Sequence, residues 1–363
     1  MFRFIHSSDL HLDKSFGTFP EDVRVRLRQA RLEALTTLAE SARASGATHV
    51  LLAGDTFDKM TPTPKAIRDA LNAMGAARDI SWMVLPGNHD HANATELWRT
   101  FTADAPPNVT ALLRPEPVAL SETVTLLPAP PSERHPGRDL TEWFDSAETG
   151  DALRIGLAHG SIRGFSSEDG GASVLSADRA RDAGLAYLGL GDWHGQLQVS
   201  EKTWYSGAPE ADSFKHDTTP SALLVEVDGQ STRVTPQPTA RLHWHKTEVE
   251  LTGEETALTL PEEGRAHTLM SLTLTGRARP ALRQRMEADI AHATPDFLWM
   301  EAHLDALGMI HDTSDLDQID RQGALRAAAD TLVAEAEDDA LSPQDRATAR
   351  AALSYLFSYA LEA

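Results

Sequence analysis

The sequence predicts an α/β fold with two sheets, because short apolar segments alternate with amphipathic helical segments along its first 200 residues. The clearest apolar segment is 48–58, where Val50, Leu51 and Leu52 form a buried-strand pattern that stops at Gly54-Asp55. Four other apolar segments end in a similar way, at Asp9-Leu10-His11, Asn88-His89-Asp90, His159-Gly160 and Asp192-Trp193-His194. Ligands of α/β sheets bind at the carboxyl ends of strands, so these five tips predict a functional site.

Two βαβ units account for the first three strands. The segment 20–45 has apolar residues at helical spacing, and Gly46 ends it. In the next unit, Thr63 is the predicted N-cap and Pro64 takes the first helical position. A helix over 94–101 follows the third strand. Such units place their strands parallel, with the tips on one edge.

Beyond residue 106 the pattern changes. The run 124–127 predicts a strand of the second sheet, and 203–205 with 221–227 predict hairpin strands. We expect the glycine- and serine-rich stretch 161–173 to be a mobile loop beside a strand tip. The proline-rich stretch 235–238 marks a domain boundary. The predicted domains are a catalytic domain over 1–238, a small capping domain over 239–310 and an acidic helical tail over 311–363.

Composition restricts the function. The 363-residue chain has no cysteine, which excludes disulfides, zinc-thiolate sites and thiol nucleophiles and fits a reducing cytoplasm. We see no export signal and no apolar run long enough to span a membrane. The formal net charge is -21. A protein that holds a nucleic-acid backbone by itself usually has a basic stripe, so any such activity here would depend on metal cations, a local groove or a basic partner.

The residue types at the tips predict two metal ions. Mixed carboxylate, amide and imidazole ligands favour Mn²⁺, Fe²⁺ or Zn²⁺ over Mg²⁺ or Ca²⁺, and manganese is our first choice. The tips supply seven candidate ligands, more than one ion normally takes. Two ions about 3.5–4 Å apart that share one carboxylate need about this number. Such a pair lowers the pKa of a bridging water, as phosphodiester hydrolysis requires.

The five tips, in this order, resemble the motifs of the calcineurin-like metallophosphoesterases. The segments FIHSSDLHLD, LLAGDTFD and LPGNHD are most similar to the DNA-repair nuclease branch of the SbcD and YhaO type. The resemblance covers about the first 200 residues, and 204–209 resembles a turn that follows the motifs in that branch. It implies a two-sheet α/β sandwich flanked by helices, with a small α+β capping region and a helical C-terminal tail. The implied activity is DNA cleavage by a metal-bridging hydroxide.

The resemblance also implies roles for individual residues. The ligands are Asp9, His11 and His194 for the first metal, Asn88 and His159 for the second, and Asp55 for both. His89 is expected to face the scissile phosphate and donate to its oxygen or to the leaving group. Asp90 is expected to orient the His89 imidazole.

One tip departs from the family pattern. The family usually has Gly-His-x-His there, and this chain has Gly191-Asp192-Trp193-His194. Asp192 thus replaces an imidazole of the second metal. We predict that its carboxylate ligates, since carboxylates bind Mn²⁺ well. The alternative is that the shorter side chain fails to reach, which leaves a degenerate site in a protein that serves as a scaffold.

Each candidate also has an ordinary structural explanation. Asp55 and Asp90 could be helix N-caps, Asn88 could stabilise a turn and His159 could be a core histidine. Only the joint pattern favours metal binding. For Trp193 we expect packing rather than stacking on a nucleobase.

The resemblance implies partners as well. They are DNA and a coiled-coil ATPase of the SbcC or YhaN kind, docked by the apolar face of the tail from Leu353 to Leu361. The resemblance leaves room for a homodimer and gives no reason to expect a membrane. The competing function is a small-molecule phosphodiesterase or phosphatase, for which an acidic surface poses no difficulty.

Overall fold

The computed structural model describes residues 1–163, 174–215, 219–229, 231–252, 258–309 and 323–362. The predicted mobile loop lies mostly outside this range, as does the start of the predicted tail. The chain divides into two compact units, Met1–Trp244 and His245–Ala363. The division into three predicted domains stays a prediction.

The first unit contains the predicted βαβ pattern. Its strands are β1 (Phe2–Ser7), β2 (His49–Ala53), β3 (Ser81–Leu85), β4 (Val109–Ala111), β5 (Val118–Ser121), β6 (Val124–Ala129), β7 (Leu153–His159), β8 (Ser161–Ile162), β9 (Val174–Leu175), β10 (Tyr187–Gly191), β11 (Leu197–Gln198), β12 (Thr203–Tyr205), β13 (Ser221–Val227) and β14 (Thr232–Pro238). Its helices are α1 (Glu21–Ser45), α2 (Pro64–Ala76), α3 (Thr95–Asp104), α4 (Arg179–Asp182) and a 3₁₀ helix, Glu142–Ser146.

These strands form two six-stranded mixed sheets, which confirms the predicted fold class. The first sheet has the order β14-β13-β1-β2-β3-β4 and the second β11-β12-β10-β7-β6-β5. One apolar cluster joins Phe4 and Leu51 of the first sheet to Leu126 and Ile155 of the second. A second cluster packs α1, α2 and α3 on the first sheet, with Leu35 among its members. The two sheets therefore face each other, with helices outside.

Local sequence signals set the helix ends. Gly46 ends α1 in the left-handed conformation with φ of 69°, which glycine adopts without a Cβ clash. The Thr63 side chain accepts a hydrogen bond from Ala66 N and so caps α2, as predicted. The helix predicted over 94–101 begins at Thr95 and extends to Asp104.

The strands predicted over 203–205 and 221–227 are hairpin strands, but they belong to two different hairpins: β12 pairs antiparallel with β11, and β13 pairs antiparallel with β14. Strand β12 pairs with β10 in the second sheet, whereas β13 pairs with β1 in the first. The chain therefore crosses from one sheet to the other between Tyr205 and Ser221. The proline-rich stretch 235–238 belongs to β14, which lies at the edge of its sheet. Proline is tolerated there because an edge strand leaves one row of N–H groups unpaired.

The second unit has its own sheet and a helix pair. The remaining strands are β15 (His243–Thr252), which begins two residues before this unit, β16 (Thr268–Ala278), β17 (Trp299–His303) and β18 (Gly308–Met309), and the helices are α5 (Pro280–Ala293), α6 (Ala324–Glu337) and α7 (Pro343–Glu362). Helices α6 and α7 pack through Ala329 and Leu353, so Leu353 is already covered within the pair. In the described part of the chain, every helix is too short or too polar to cross a lipid bilayer.

Candidate metal centre

The loops after β1, β2 and β10 are tied together by hydrogen bonds. Asp9 N donates to Gly54 O at 3.1 Å, and His11 N donates to Asp55 O at 2.9 Å. Asp192 N, after β10 in the other sheet, lies 3.3 Å from both carboxylate oxygens of Asp9. Strand ends from both sheets thus converge on one place.

Four of the predicted site residues have unusual backbone conformations. The φ angles of Asp9, His11, Asp55 and Asp192 are 55°, 44°, 52° and 100°. Residues with a Cβ rarely adopt positive φ, at a cost of about 1 kcal/mol or more each. Such strain clusters at functional sites, where the surrounding fold enforces it.

Two glycines, Gly87 and Gly191, allow neighbouring strand tips to lie close to each other. A Cβ on Gly87 would overlap the backbone nitrogen and the carboxylate of Asp55, and a Cβ on Gly191 would overlap Ala53 O. A side chain at either position would push apart the strand ends that supply the site.

The first half of the site joins Asp9, His11 and His194, each of which has a ligand atom within 4.8 Å of the others. His11 Nε2 lies 3.2 Å from His194 Nε2, and His194 Nε2 lies 4.0 Å from Asp9 Oδ1. Asp9 is fully buried and His11 nearly so, whereas the His194 side chain is partly exposed. The three residues predicted for the first metal are therefore together.

Asp55 lies between the two halves. Its Oδ2 atom is 3.7 Å from His11 Nε2 and 3.6 Å from His159 Nε2. Asp55, Asp9 and His159 form a further group of potential ligands. One carboxylate oxygen midway between two imidazoles is the position that a carboxylate shared by two cations requires.

The second half contains two buried atoms suited to a cation. His159 Nδ1 lies 2.8 Å from Ala53 O and must carry a proton to donate to it. In the neutral ring, His159 Nε2 then has a free lone pair. Asn88 Nδ2 donates to Asp192 Oδ1 at 3.0 Å, which directs Oδ1 of Asn88 away. Neither His159 Nε2 nor Asn88 Oδ1 has a hydrogen-bond partner among the described residues, although both are buried. A divalent cation would satisfy both lone pairs.

The Asp192 carboxylate reaches this second half. Its Oδ1 atom is 3.7 Å from His159 Nε2, and its Oδ2 atom accepts a hydrogen bond from Ser161 Oγ at 3.0 Å. The side chain is therefore not too short to approach the second-metal residues. Its role as a ligand stays a prediction, since its oxygens also accept from Asn88 and Ser161.

Burial and nearby charges shift the pKa values of the two central carboxylates, Asp9 and Asp55, in opposite directions. At Asp9, burial favours the neutral acid, but the imidazoles of His194, His159 and His11 outweigh it and lower the pKa. At Asp55, burial prevails and the pKa is raised.

The pKa values of His11 and His159 are shifted in opposite directions. Burial lowers the pKa of His11 to about 4. Burial acts in the same direction on His159, but the carboxylates of Asp55, Asp192 and Asp9 outweigh it and raise its pKa to about 9. Without a cation, the second half therefore holds a proton on His159 that metal binding must displace.

His89 lies beside the first half, but Asp90 does not contact its imidazole. The His89 ring is 4.9 Å from the His11 ring, and its Nδ1 lies 2.8 Å from Asp58 O. The Asp90 carboxylate instead accepts from Gly87 N at 2.6 Å and Phe57 N at 3.0 Å. The expectation that Asp90 orients the imidazole is corrected by these contacts: Asp90 is fully buried and fixes the loop.

Sequence reasoning missed four residues of the site. They are Lys14, Arg31, Asp58 and Asp212, which contact the predicted ligands or each other. Of these four, only Arg31 could have been identified from the sequence. It falls on the apolar face of α1, one turn from Leu27 and Leu35, and it is 2% exposed. A charged residue at such a position needs buried partners.

The Trp193 side chain, which we expect to pack beside the metals, is 48% exposed. It stands between Asp192 and His194, which both reach into the site. A half-exposed indole at this rim is available to a ligand.

A two-sheet α/β sandwich with carboxylate, amide and imidazole groups at its strand tips has the architecture of a metallophosphoesterase. The family model for calcineurin-like phosphoesterases matches residues 2–217. The chain belongs to this family, and its membership supports metal-dependent hydrolysis of phosphoesters. The candidate His and Asp clusters agree with that chemistry.

Relatives are distant. The chain is 24% identical over 260 residues to the uncharacterized metallophosphoesterase YhaO of Bacillus subtilis (strain 168), a match that covers 69% of this chain and 63% of that protein. The match thus spans less than two thirds of the relative's length. Solved structures with similar folds include the protein TT1561 of Thermus thermophilus at 12% identity and a TM-score of 0.41, which covers 65% of this chain and 98% of that one. A dimetal phosphatase from Danio rerio is 9% identical with a TM-score of 0.37, covering 66% and 96%. These scores are too low to support an inference about function.

Proposed function

We propose that the protein is a metal-dependent phosphodiesterase that cleaves DNA, with two divalent cations held by the strand tips. The observation that supports this most is that two buried atoms, Asn88 Oδ1 and His159 Nε2, have no hydrogen-bond partner among the described residues, and that His159 Nε2 lies 3.6 Å from Asp55 Oδ2. Asp9, His11 and His194 would hold the first cation, Asn88, His159 and Asp192 the second, and Asp55 both. Manganese suits this mixed donor set, and iron and zinc are the alternatives.

When bound, such a pair activates water and neutralises charge on the phosphoryl group. The protein's own contribution is positional. The strained loops fix the ligands before substrate arrives, which avoids reorganisation during the reaction. Asp55 Oδ1 accepts from His89 N at 2.9 Å, so the residue that bridges the two halves also fixes the loop of His89.

His89 is the proposed catalytic acid. Its Nδ1 donates to Asp58 O, which leaves Nε2 as the ring atom that can serve the substrate. In the cationic ring, which carries a proton on both nitrogens, the Nε2 proton would bond to a phosphoryl oxygen or pass to the leaving oxygen, which would leave a neutral ring with its proton on Nδ1. Because Asp90 holds the loop rather than the ring, its effect on catalysis would be indirect.

The acidic surface limits how DNA could be held. With a net charge of -21, counterion release from the strand would contribute little to affinity. The exposed indole of Trp193 offers a contact that does not depend on charge, since bases stack on aromatic side chains. A basic partner could supply the rest.

The proposed partner is a coiled-coil ATPase that binds the helical tail. Truncation after Leu341 removes α7 and should abolish binding of such an ATPase while the first unit keeps its metal. Retained binding would contradict this assignment. Sedimentation velocity measures that binding, and a homodimer would appear in the same experiment as a doubled mass.

A second candidate function is hydrolysis of small phosphodiesters or phosphomonoesters, which the net charge favours. The deciding experiment compares single- and double-stranded DNA with bis-p-nitrophenyl phosphate, each in Mn²⁺. Cleavage of DNA that falls in Trp193→Ala supports the nuclease. Turnover of the small substrate without cleavage of either DNA would overturn it in favour of the second candidate.

A further inference from the structure

The two ring nitrogens of His194 face different groups. Nε2 lies 3.2 Å from His11 Nε2 and 4.0 Å from Asp9 Oδ1, within the first half of the site. Nδ1 lies 3.4 Å from Asp212 Oδ2, a residue outside the predicted ligand set. We propose that Asp212 is a positioning residue that keeps the proton of His194 on Nδ1 and so presents Nε2 to the first metal. This inference rests on the proposed metal centre.

Asp212 can hold that proton because it is itself firmly held. Its side chain is 6% exposed, and Lys14 Nζ donates to its Oδ2 atom at 2.6 Å. Arg31 Nη2 lies 3.7 Å from the same oxygen. A carboxylate so enclosed is stable as an anion only with such cations beside it. An ionised carboxylate only accepts hydrogen bonds, so the facing nitrogen of His194 must be the donor.

Arg31 ties Asp212 to the other ligands of the first metal. Its guanidinium donates to the carbonyl oxygens of Leu10 and Asp9, in the loop after β1, and to Glu210 O at 3.3 Å. A single buried side chain of α1 thus joins the loop that bears Asp9 and His11 to the segment that bears Asp212. The position of Asp212 relative to the first-metal residues is therefore fixed by the fold.

The second half lacks this arrangement at its histidine. His159 Nδ1 faces the neutral carbonyl of Ala53 rather than a carboxylate. A carboxylate on the far nitrogen makes an imidazole a stronger ligand than a carbonyl does, and losing such a partner costs about 10- to 100-fold in metal affinity. Loss of Asp212 should therefore weaken the first metal and spare the second.

The test is an equilibrium titration of the full chain with MnCl₂, with free Mn²⁺ read by electron paramagnetic resonance. Asp212→Asn keeps the size of the side chain and removes its charge. We expect one of two sites to weaken about 10- to 100-fold and the other to stay within about twofold. The matched control is Asp145→Asn, which loses a carboxylate paired with the buried Arg179 outside the site. It should leave both affinities unchanged.

A second measurement reads the tautomer directly. In Zn²⁺-loaded protein labelled with ¹⁵N-histidine, His194 should show its proton on Nδ1, with the signal assigned by its loss in His194→Gln. Asp212→Asn should shift or remove that signal and leave the signal of His159 in place. Asp212→Glu should restore part of the affinity. If Asp212→Asn does not fold, Lys14→Met should weaken the same site by a smaller factor.

Equal weakening of both sites, or an unchanged His194 signal with unchanged affinities, would overturn the role of Asp212. These outcomes differ from failure of the proposed function. In that case the wild-type chain itself would bind no Mn²⁺.

Discussion

Each half of the candidate centre combines strand ends from both sheets, but the side chains that support the ligands differ between the halves. In the first half, each histidine faces a carboxylate: His11 Nδ1 lies 3.2 Å from Asp58 Oδ1, and His194 Nδ1 faces Asp212. In the second, His159 faces a backbone carbonyl, and Asp192, which stands where the resemblance implies an imidazole, accepts from Asn88. The comparison predicts that the first half binds its cation more tightly. The second half would then set the metal dependence of activity.

The largest effect is expected at the residue that both halves share. Asp55→Asn removes the charge of the oxygen that lies between His11 and His159. Turnover in Mn²⁺ should fall at least about 100-fold. Loss of a carboxylate that only supports a ligand, as proposed for Asp212, would cause a smaller effect. Metal analysis should show fewer than two ions per chain. Full activity in this variant would show that Asp55 is not needed to hold either cation.

His89→Ala should separate catalysis from metal binding. The side chain bonds to Asp58 O and belongs to neither proposed ligand set. We expect turnover to fall about 100-fold or more, as for other acid–base groups, while both ions remain bound. Loss of an ion in this variant would show that His89 belongs to the first half. Asp145→Asn again serves as the control.

Substitutions at Asp192 test the second half alone. Asp192→His introduces the imidazole that the resemblance implies at this position and should keep or raise turnover in Mn²⁺. Asp192→Ala should weaken the second cation by about 10- to 100-fold and leave the first unchanged. An Asp192→Ala protein with full affinity at both sites would show that the carboxylate only orients Asn88 and Ser161, whose side chains donate to it.

The smallest effect concerns His6, which joins the sheets that bear the two halves. Its Nδ1 lies 2.8 Å from the Tyr187 hydroxyl, and burial lowers its pKa to about 3 from 6.5. Below pH 6.5 the unfolded chain therefore binds a proton that the folded chain excludes. Stability should fall as pH drops from 6.5 toward 3, by roughly 2 kcal/mol at pH 5.

The measurement for His6 is the free energy of unfolding at pH 7 and pH 5, at one metal concentration. His6→Asn keeps a polar atom near Tyr187 and cannot take up that proton. Its loss of stability between the two pH values should be smaller than that of wild type by roughly 2 kcal/mol. Equal losses in both proteins would contradict the buried, neutral state of His6.

The sequence predicted those features that depend on local pattern. The ends of the core strands, the cap at Thr63 and the end of α1 at Gly46 follow from short-range chemistry, and all are confirmed. The sequence did not show that β12 and β13 belong to different sheets, because nothing local distinguishes a hairpin connection from a crossing between sheets. That same crossing carries Glu210 and Asp212, so the support for His194 was missed with it. The loop contacts of Asp90 also depend on Phe57, more than 30 residues away.

In the proposed metal centre, side chains from both sheets hold two cations. Diffraction from crystals soaked in MnCl₂, recorded at the manganese absorption edge, tests it most directly. We expect two anomalous peaks roughly 3.5–4 Å apart, one beside Asp9, His11 and His194 and the other beside Asn88 and His159, with Asp55 at both. A single peak, or none at full soaking concentration, would contradict it.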